Sequence, residues 1–277
     1  MGPLVDVDWL RRHLHDPELR LVDCRFSLQD PQAGRQAFLA GHIPGAVFLD
    51  LEQDLCAPMR PDRKGGRHPL PDPEALATTL GQAGIGNAHH VVAYDAPPEG
   101  GMFAPYLWWL LRWLGHERVS VLDGGITAWK AAGLPLSRRP TPPPPTLFTP
   151  KPHPEWVVDA EFVAHRPEGT VLVDSRAPER YRGEAEPLDP VAGHIPGAVN
   201  RYWQEALEPS GRFKPAEAQA DRFAGLEGEL VVYCGSGISA AVNVLALQLI
   251  GKPARLYKGS WSDWVSVPGR PVAQGEG

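Results

Sequence analysis

Short runs rich in Val and Leu recur along the chain, at 19–22, 91–94, 119–122, 171–173, 230–233 and 254–257. Apolar residues stand at consecutive positions in most of them, without strict alternation, which is the pattern of a strand covered on both faces. Between the runs, apolar residues return every three or four positions over 73–83, 104–114, 216–223 and 239–250, and these segments predict helices. Strands alternating with helices predict a parallel sheet with helices on both faces. In such open sheets a ligand binds beyond the carboxyl ends of the strands.

The pattern occurs twice. Leu21-Val-Asp-Cys-Arg25 returns as Leu172-Val-Asp-Ser-Arg176, and Ala40-Gly-His-Ile-Pro-Gly-Ala-Val47 returns unchanged as Ala192-Gly-His-Ile-Pro-Gly-Ala-Val199. Further on, Val91-Val-Ala-Tyr-Asp95 aligns with Leu230-Val-Val-Tyr-Cys234, and Leu122-Asp-Gly-Gly-Ile-Thr-Ala-Trp129 with Tyr257-Lys-Gly-Ser-Trp-Ser-Asp-Trp264. A period of about 150 residues is too long for a solenoid and fits a duplicated domain. Between the copies, Arg138-Arg-Pro-Thr-Pro-Pro-Pro-Pro-Thr146 is followed by Pro150, Pro152 and Pro154. Proline at this density favours extended polyproline II and a semi-rigid linker. The expected organisation is therefore an α/β domain at 1–137, a Pro-rich linker at 138–155 and a second α/β domain at 156–277, each an open parallel sheet with helices on both faces.

Composition narrows the function. The 277 residues carry a net charge of −6, so no overall basic field draws the chain to nucleic acid or to an anionic membrane, and any anion site must be local. The most apolar stretch, 102–111, is about half the length a bilayer crossing needs. The first residues lack a basic region followed by an apolar one, so no export signal is expected. Three cysteines, Cys24, Cys56 and Cys234, make neither a disulfide framework nor a paired metal-ligand pattern. A cytoplasmic protein with reduced thiols, without cofactor or metal, is expected.

Comparing the copies separates scaffold from chemistry. Asp23/Arg25, Asp174/Arg176, His42 and His194 occur in both and read as parts of the shared fold, each Asp-x-Arg as a partly buried pair holding a strand end. Cys234 does not repeat, because the first copy has Asp95 there. It follows an apolar strand and precedes Gly235-Ser-Gly-Ile-Ser239 and a helix, where loop amides and the positive end of the helix dipole favour the nucleophilic thiolate. Ser236 offers a hydroxyl to substrate or to a loop amide. Arg180 does not repeat either, Gln29 standing at its counterpart, and its guanidinium suits an anionic donor. Arg182, opposite Pro31, is a second candidate. From His42 to Asp95 is 53 residues but from His194 to Cys234 only 40. The extra residues fall in the polar segment 52–69, a loop able to present His68 as an acid or base with Glu52 or Asp50 behind it.

The duplicated Gly-His-Ile-Pro-Gly-Ala, the Asp replacing Cys in the first half, Val121-Leu-Asp-Gly-Gly125, Lys258-Gly-Ser-Trp-Ser-Asp-Trp264 and Cys234-Gly-Ser-Gly-Ile-Ser-Ala240 together resemble the tandem-domain rhodanese superfamily of sulfurtransferases, from about residue 4 to 273. The resemblance implies two rhodanese-like domains, the first inactive and the second catalytic, with the site at their interface. It further implies ping-pong transfer through a Cys234 persulfide, from a small anionic donor to cyanide or a thiol, with a thioredoxin-like reductant among the thiol acceptors. The Cys-Gly-Ser-Gly loop is similar to the 3-mercaptopyruvate branch, in which an arginine at the position of Arg180 binds the donor carboxylate. In that branch a serine, a histidine and an acid are proposed as a proton relay, at positions matching Ser236, His68 and Glu52. Amides of Gly235, Gly237, Ile238 and Ser239 would stabilise charge on the sulfur. Two positions depart from the pattern: Glu52 stands for an aspartate, and Leu188 follows Glu186-Pro187 where a second arginine is expected, a place Arg182 could fill. Thiosulfate stays open as the donor.

Two other classes share parts of this pattern. Phosphatases and arsenate reductases need Cys-x5-Arg, and position 240 is Ala240. A persulfide carrier or thiol sensor without turnover shares the Cys234 chemistry and differs only in failing to consume a small donor. A phosphate-binding loop is set aside because Gly84-Ile-Gly86 lacks the required lysine or third glycine.

Overall fold

A computed structural model describes residues 2–97 and 100–276 of the chain. They cluster into two compact units: Met1–Cys56, Pro71–His153 and Leu207–Phe213 form the first, and Ala57–Leu70, Pro154–Ala206 and Lys214–Gly277 the second.

In the first unit the elements run β1 (Leu4–Val5), α1 (Val7–His13), β2 (Leu19–Asp23), α2 (Ala33–Ala40), β3 (Ala46–Phe48), α3 (Pro73–Gln82), β4 (His90–Tyr94), α4 (Phe103–Trp113), β5 (Val119–Leu122) and α5 (Gly125–Ala131). The second runs β6 (Val157–Val158), α6 (Ala160–Ala164), β7 (Val171–Asp174), α7 (Pro178–Arg182), β8 (Ala198–Asn200), α8 (Ala216–Arg222), β9 (Leu230–Tyr233), α9 (Ala240–Leu249), β10 (Ala254–Tyr257) and α10 (Ser260–Trp264). Each unit holds a five-stranded sheet, ordered β1-β5-β4-β2-β3 in the first and β6-β10-β9-β7-β8 in the second, and the paired strands are parallel throughout. The two orders are the same path traced twice, as the sequence repeat requires.

The central strands β4 and β9 are buried at every position, which is why their sequences show no polar face. Leu21, Val92, Tyr94, Ile126 and Trp129 form one core, and Leu172, Val231, Tyr233, Trp261 and Trp264 the other. Helices α4 and α9 are apolar almost all round because they too are enclosed.

The repeated motifs perform matching structural tasks. Arg25 and Arg176 each fork onto the aspartate two residues earlier with a closest contact of 2.6 Å. The same Nη2 reaches the carbonyl before the repeated histidine, Gly41 at 2.9 Å and Gly193 at 2.6 Å. His42 stacks on Phe38 and bonds its carbonyl, and His194 does the same with Tyr181, both at 2.8 Å. Tyr94 and Tyr233 accept the following Ile43 and Ile195 amides, both at 3.2 Å.

The proline-rich stretch carries no helix or strand between Arg138 and His153. It follows the first unit through amides left between prolines: Thr146 donates to Gly81, Lys151 to Leu114 and His153 to Trp113, with Phe148 buried. Among the described residues, no helix is long and apolar enough to cross a membrane.

Candidate functional site in the second unit

Cys234 is the first residue beyond β9, at the carboxyl end of a strand buried at every position. Its backbone is held on both sides: its amide donates to Ser260 Oγ at 3.1 Å, its carbonyl accepts from Trp261 at 3.0 Å, and the Gly235 carbonyl accepts from Ser262 at 2.9 Å. The start of α10 thus fixes where the loop leaves the sheet. The loop then turns through Gly237, whose φ of +79° suits a residue without Cβ. An added Cβ there would also stand 2.3 Å from the Lys258 carbonyl oxygen.

The loop curls around the sulfur. The Gly237 amide donates to Cys234 Sγ at 3.1 Å. Burial pushes the thiol up, but the Ser239 hydroxyl and the amides of Ser236, Ala240 and Gly237 bond to it, and their sum holds it below the ordinary thiol value. Cys24 shows the contrast: it is equally buried, faces Asp95 and Asp23, and is pushed well above that value. Ser239 begins α9 and makes no side-chain cap, so its hydroxyl is left for the sulfur. Ile238 is buried beneath the loop.

His68 lies in the second unit with this loop, its Nδ1 2.8 Å from Ser236 Oγ. Burial, then the positive Lys258 and Arg67, pull its pKa down from 6.5 to about 3, so the ring is neutral at physiological pH. The segment carrying it is docked by its backbone: Gly65 donates to Asp263 at 2.8 Å and Arg67 to Ser262 Oγ at 3.1 Å. Lys258, buried, donates to the carbonyls of both His68 and Ser236, tying the segment to the loop.

Arg180, on α7, grips Glu186 through Nε and Nη2, with a closest contact of 2.7 Å, and reaches Asp189 at 3.5 Å. Arg67 pairs with the other oxygen of Asp189. Both guanidiniums border Gly235: a Cβ on it would lie 2.9 Å from Arg67 Nη2 and 3.5 Å from Arg180 Nη1 and Nη2. Arg182, expected as a second donor contact, turns instead to Glu184 at 2.7 Å and Glu276 at 3.8 Å, because it lies at the end of α7 beside the chain terminus. Glu52 is an exposed residue of the first unit, its amide donating to Asp50 at 2.9 Å.

Sequence reading missed Arg67, Asp189 and Lys258. The comparison of copies points to one of them, since Lys258 stands where the first copy has Asp123. At the position of Cys234 the first unit buries Asp95, whose Oδ2 accepts the Phe103 and Ala104 amides, each at 2.9 Å, at the start of α4. Burial raises that carboxyl to about 7 despite these bonds.

The rhodanese-like domain profile matches residues 6–132 and 159–267. A protein of Pseudomonas aeruginosa named "Probable 3-mercaptopyruvate sulfurtransferase" is 47% identical over 284 residues, covering 99% of this chain and 98% of its own. The thiosulfate sulfurtransferase of Bos taurus is 34% identical over 292 residues, covering 99% and 96%. The crystal structure of SseA from Escherichia coli, described as a 3-mercaptopyruvate sulfotransferase, superposes with a TM-score of 0.82 at 35% identity, over 95% of this chain and 100% of that one. With two matching domains, the same sheet order in both and relatives that span it from end to end, the chain belongs to the rhodanese family.

Proposed function

We propose that this protein takes the thiol sulfur of 3-mercaptopyruvate onto Cys234 as a sulfane sulfur and passes it to cyanide or a thiol. That it is a sulfurtransferase follows from its family and its full-length relatives. The observation that carries the finer reading is the thiol of Cys234, buried and yet held below its ordinary pKa by one hydroxyl and three amides. Such a cradle favours a negative sulfur, and the thiolate is the nucleophile.

In the first half-reaction the Cys234 thiolate attacks the donor's sulfur. An S–S bond forms, the donor's C–S bond breaks, and its electron pair stays on carbon as the enolate of pyruvate. The proton of the donor thiol passes to that carbon, leaving pyruvate and a Cys234 persulfide anion, so charge and atoms balance. Neutral His68 and the Ser236 hydroxyl carry this proton, a reading supported by the 2.8 Å contact between them. Arg180 binds the donor's carboxylate, and the amides of the Gly235–Ser239 loop receive the charge on the outer sulfur. In the second half-reaction the acceptor attacks that sulfur, giving thiocyanate or a new persulfide and restoring the thiolate. Thiol acceptors include a thioredoxin-like protein, and three free cysteines suit the reducing cytoplasm.

A second reading takes thiosulfate as donor. The cationic Arg67, Arg180 and Lys258 around the loop would suit a compact dianion, and the bovine relative bears that name. Turnover of the two donors side by side, with Cys234→Ser as blank, decides between them. A higher kcat/KM for mercaptopyruvate is expected. A higher value for thiosulfate refutes the donor assignment, and transfer retained by Cys234→Ser refutes the scheme.

A further inference from the structure

Two guanidiniums reach the residue after Cys234 from distant parts of the sequence. Arg67 comes from the segment Ala57–Leu70 and Arg180 from α7, and both belong to the second unit. The space on the Cα of Gly235 is bounded by Arg67 Nη2 at 2.9 Å and by Arg180 Nη1 and Nη2 at 3.5 Å, measured from where a Cβ would stand. A side chain at this position would press on Arg67 Nη2, and glycine lets both guanidiniums lie against the backbone here.

The far nitrogens of the two arginines are clamped. Asp189, its side chain fully buried, accepts from Arg67 Nη1 through one oxygen and from Arg180 Nη2, at 3.5 Å, through the other. Glu186 takes Nε and Nη2 of Arg180 and also Arg176, whose other carboxylate partner is Asp174. Three carboxylates thus balance three guanidiniums, which lets two arginines sit close together without a ligand. The near nitrogens, Arg67 Nη2 and Arg180 Nη1, make no hydrogen bond among the described residues. Their side chains stay 18% and 16% exposed.

We propose that Arg67 is the second guanidinium of the donor site, and that its Nη2 and the Nη1 of Arg180 each take one oxygen of the donor's carboxylate, Asp189 tying the two side chains together. This rests on 3-mercaptopyruvate being the donor. Two N–H donors on separate side chains match the two oxygens of a carboxylate, and charge-assisted bonds of this kind are the strong ones. Arg67 has a backbone anchor of its own, its amide on Ser262 Oγ, so its side chain can be changed without releasing the segment.

The test compares two donors on the same enzyme sample: 3-mercaptopyruvate, and 1-mercaptopropan-2-one, which has the same thiol and ketone with a methyl in place of the carboxylate. The quantity read is the ratio of their kcat/KM values with cyanide as acceptor, in which the folded fraction of the sample cancels. In Arg67→Met the ratio is expected to fall about tenfold to a hundredfold, chiefly through KM for the keto acid, with partial recovery in Arg67→Lys. Gly235→Ala, which puts a methyl into the seat, lowers the ratio as well. A ratio in Arg67→Met equal to that of the unmodified protein overturns the proposal. Failure of the unmodified protein to prefer mercaptopyruvate to thiosulfate would instead overturn the donor reading, and shows before any variant is made.

Discussion

Replacing Ser239 by alanine removes the largest single contribution that favours the Cys234 thiolate, and little else. The hydroxyl bonds to the sulfur and does not cap α9, so the helix start loses no partner. A hydrogen bond to a charged group is worth about 1.5–3 kcal/mol, which is tenfold or more in thiolate at any pH below the titration midpoint. The thiolate that remains is more basic and more nucleophilic, with a Brønsted slope of about 0.4–0.5, which offsets roughly half of that loss. Alkylation by iodoacetamide should therefore slow about threefold to tenfold at low pH in Ser239→Ala and become faster than in the unmodified protein at high pH. The rate is followed on the Cys234 peptide by mass spectrometry, with the Cys24 peptide as internal reference. Crossing of the two pH profiles is the signature, because partial unfolding would speed alkylation at every pH. Superimposable profiles would show that the Ser239 hydroxyl does not act on the sulfur.

Other predictions follow from buried groups and from the loop. His68 titrates at 6.5 in the unfolded chain and near 3 in the folded one, so its contribution is present above pH 6.5 and is lost as pH falls toward 3. Urea unfolding should show about 4 kcal/mol of acid loss over that window that His68→Gln lacks, and an equal loss in the variant would contradict the neutral ring. Asp95 behaves in the opposite sense: its folded value is raised to about 7, so its contribution is full below pH 3.8 and declines as pH rises through 7. Asp95→Asn, which still accepts from the Phe103 and Ala104 amides, should be more stable than the parent at pH 8 by about 1–4 kcal/mol and no different at pH 3.5. Gly237→Ala meets both the φ of +79° and the Lys258 carbonyl 2.3 Å from its new Cβ. It should lose about 2–4 kcal/mol or shift the loop and lose most sulfur transfer, and full activity at full stability would exclude the turn described.

The parts of the fold readable in sequence were those with enough residues to show a pattern. The six apolar runs became β2, β4, β5, β7, β9 and β10, with ends moved by no more than a residue. Strands β1 and β6 escaped because two residues carry no periodicity; they add to the sheet edges beside β5 and β10. Helices α1 and α6 are short and signalled only by the caps Asp6 and Asp159, which accept from Trp9 and Phe162. In the site, Cys234 stood out by failing to repeat, and His68 by lying in the segment that only the first copy has. Arg67 and Asp189 had no comparable signal. They are 122 residues apart and acquire their meaning only when the segment 57–70 and the segment after α7 fold against one loop. The two arginines of α7 could not be told apart for the same reason, since nothing local says that Arg180 turns toward Glu186 and Arg182 toward Glu184 and Glu276.

The central claim is that Cys234 carries the transferred sulfur. Its most direct test is to incubate the protein with 3-mercaptopyruvate and no acceptor, digest it, and weigh the three cysteine peptides before and after adding cyanide. The account predicts one added sulfur atom on the Cys234 peptide, none on those of Cys24 and Cys56, and its removal by cyanide as thiocyanate. Sulfur on another cysteine, or thiocyanate formed at the full rate by Cys234→Ser, would contradict it.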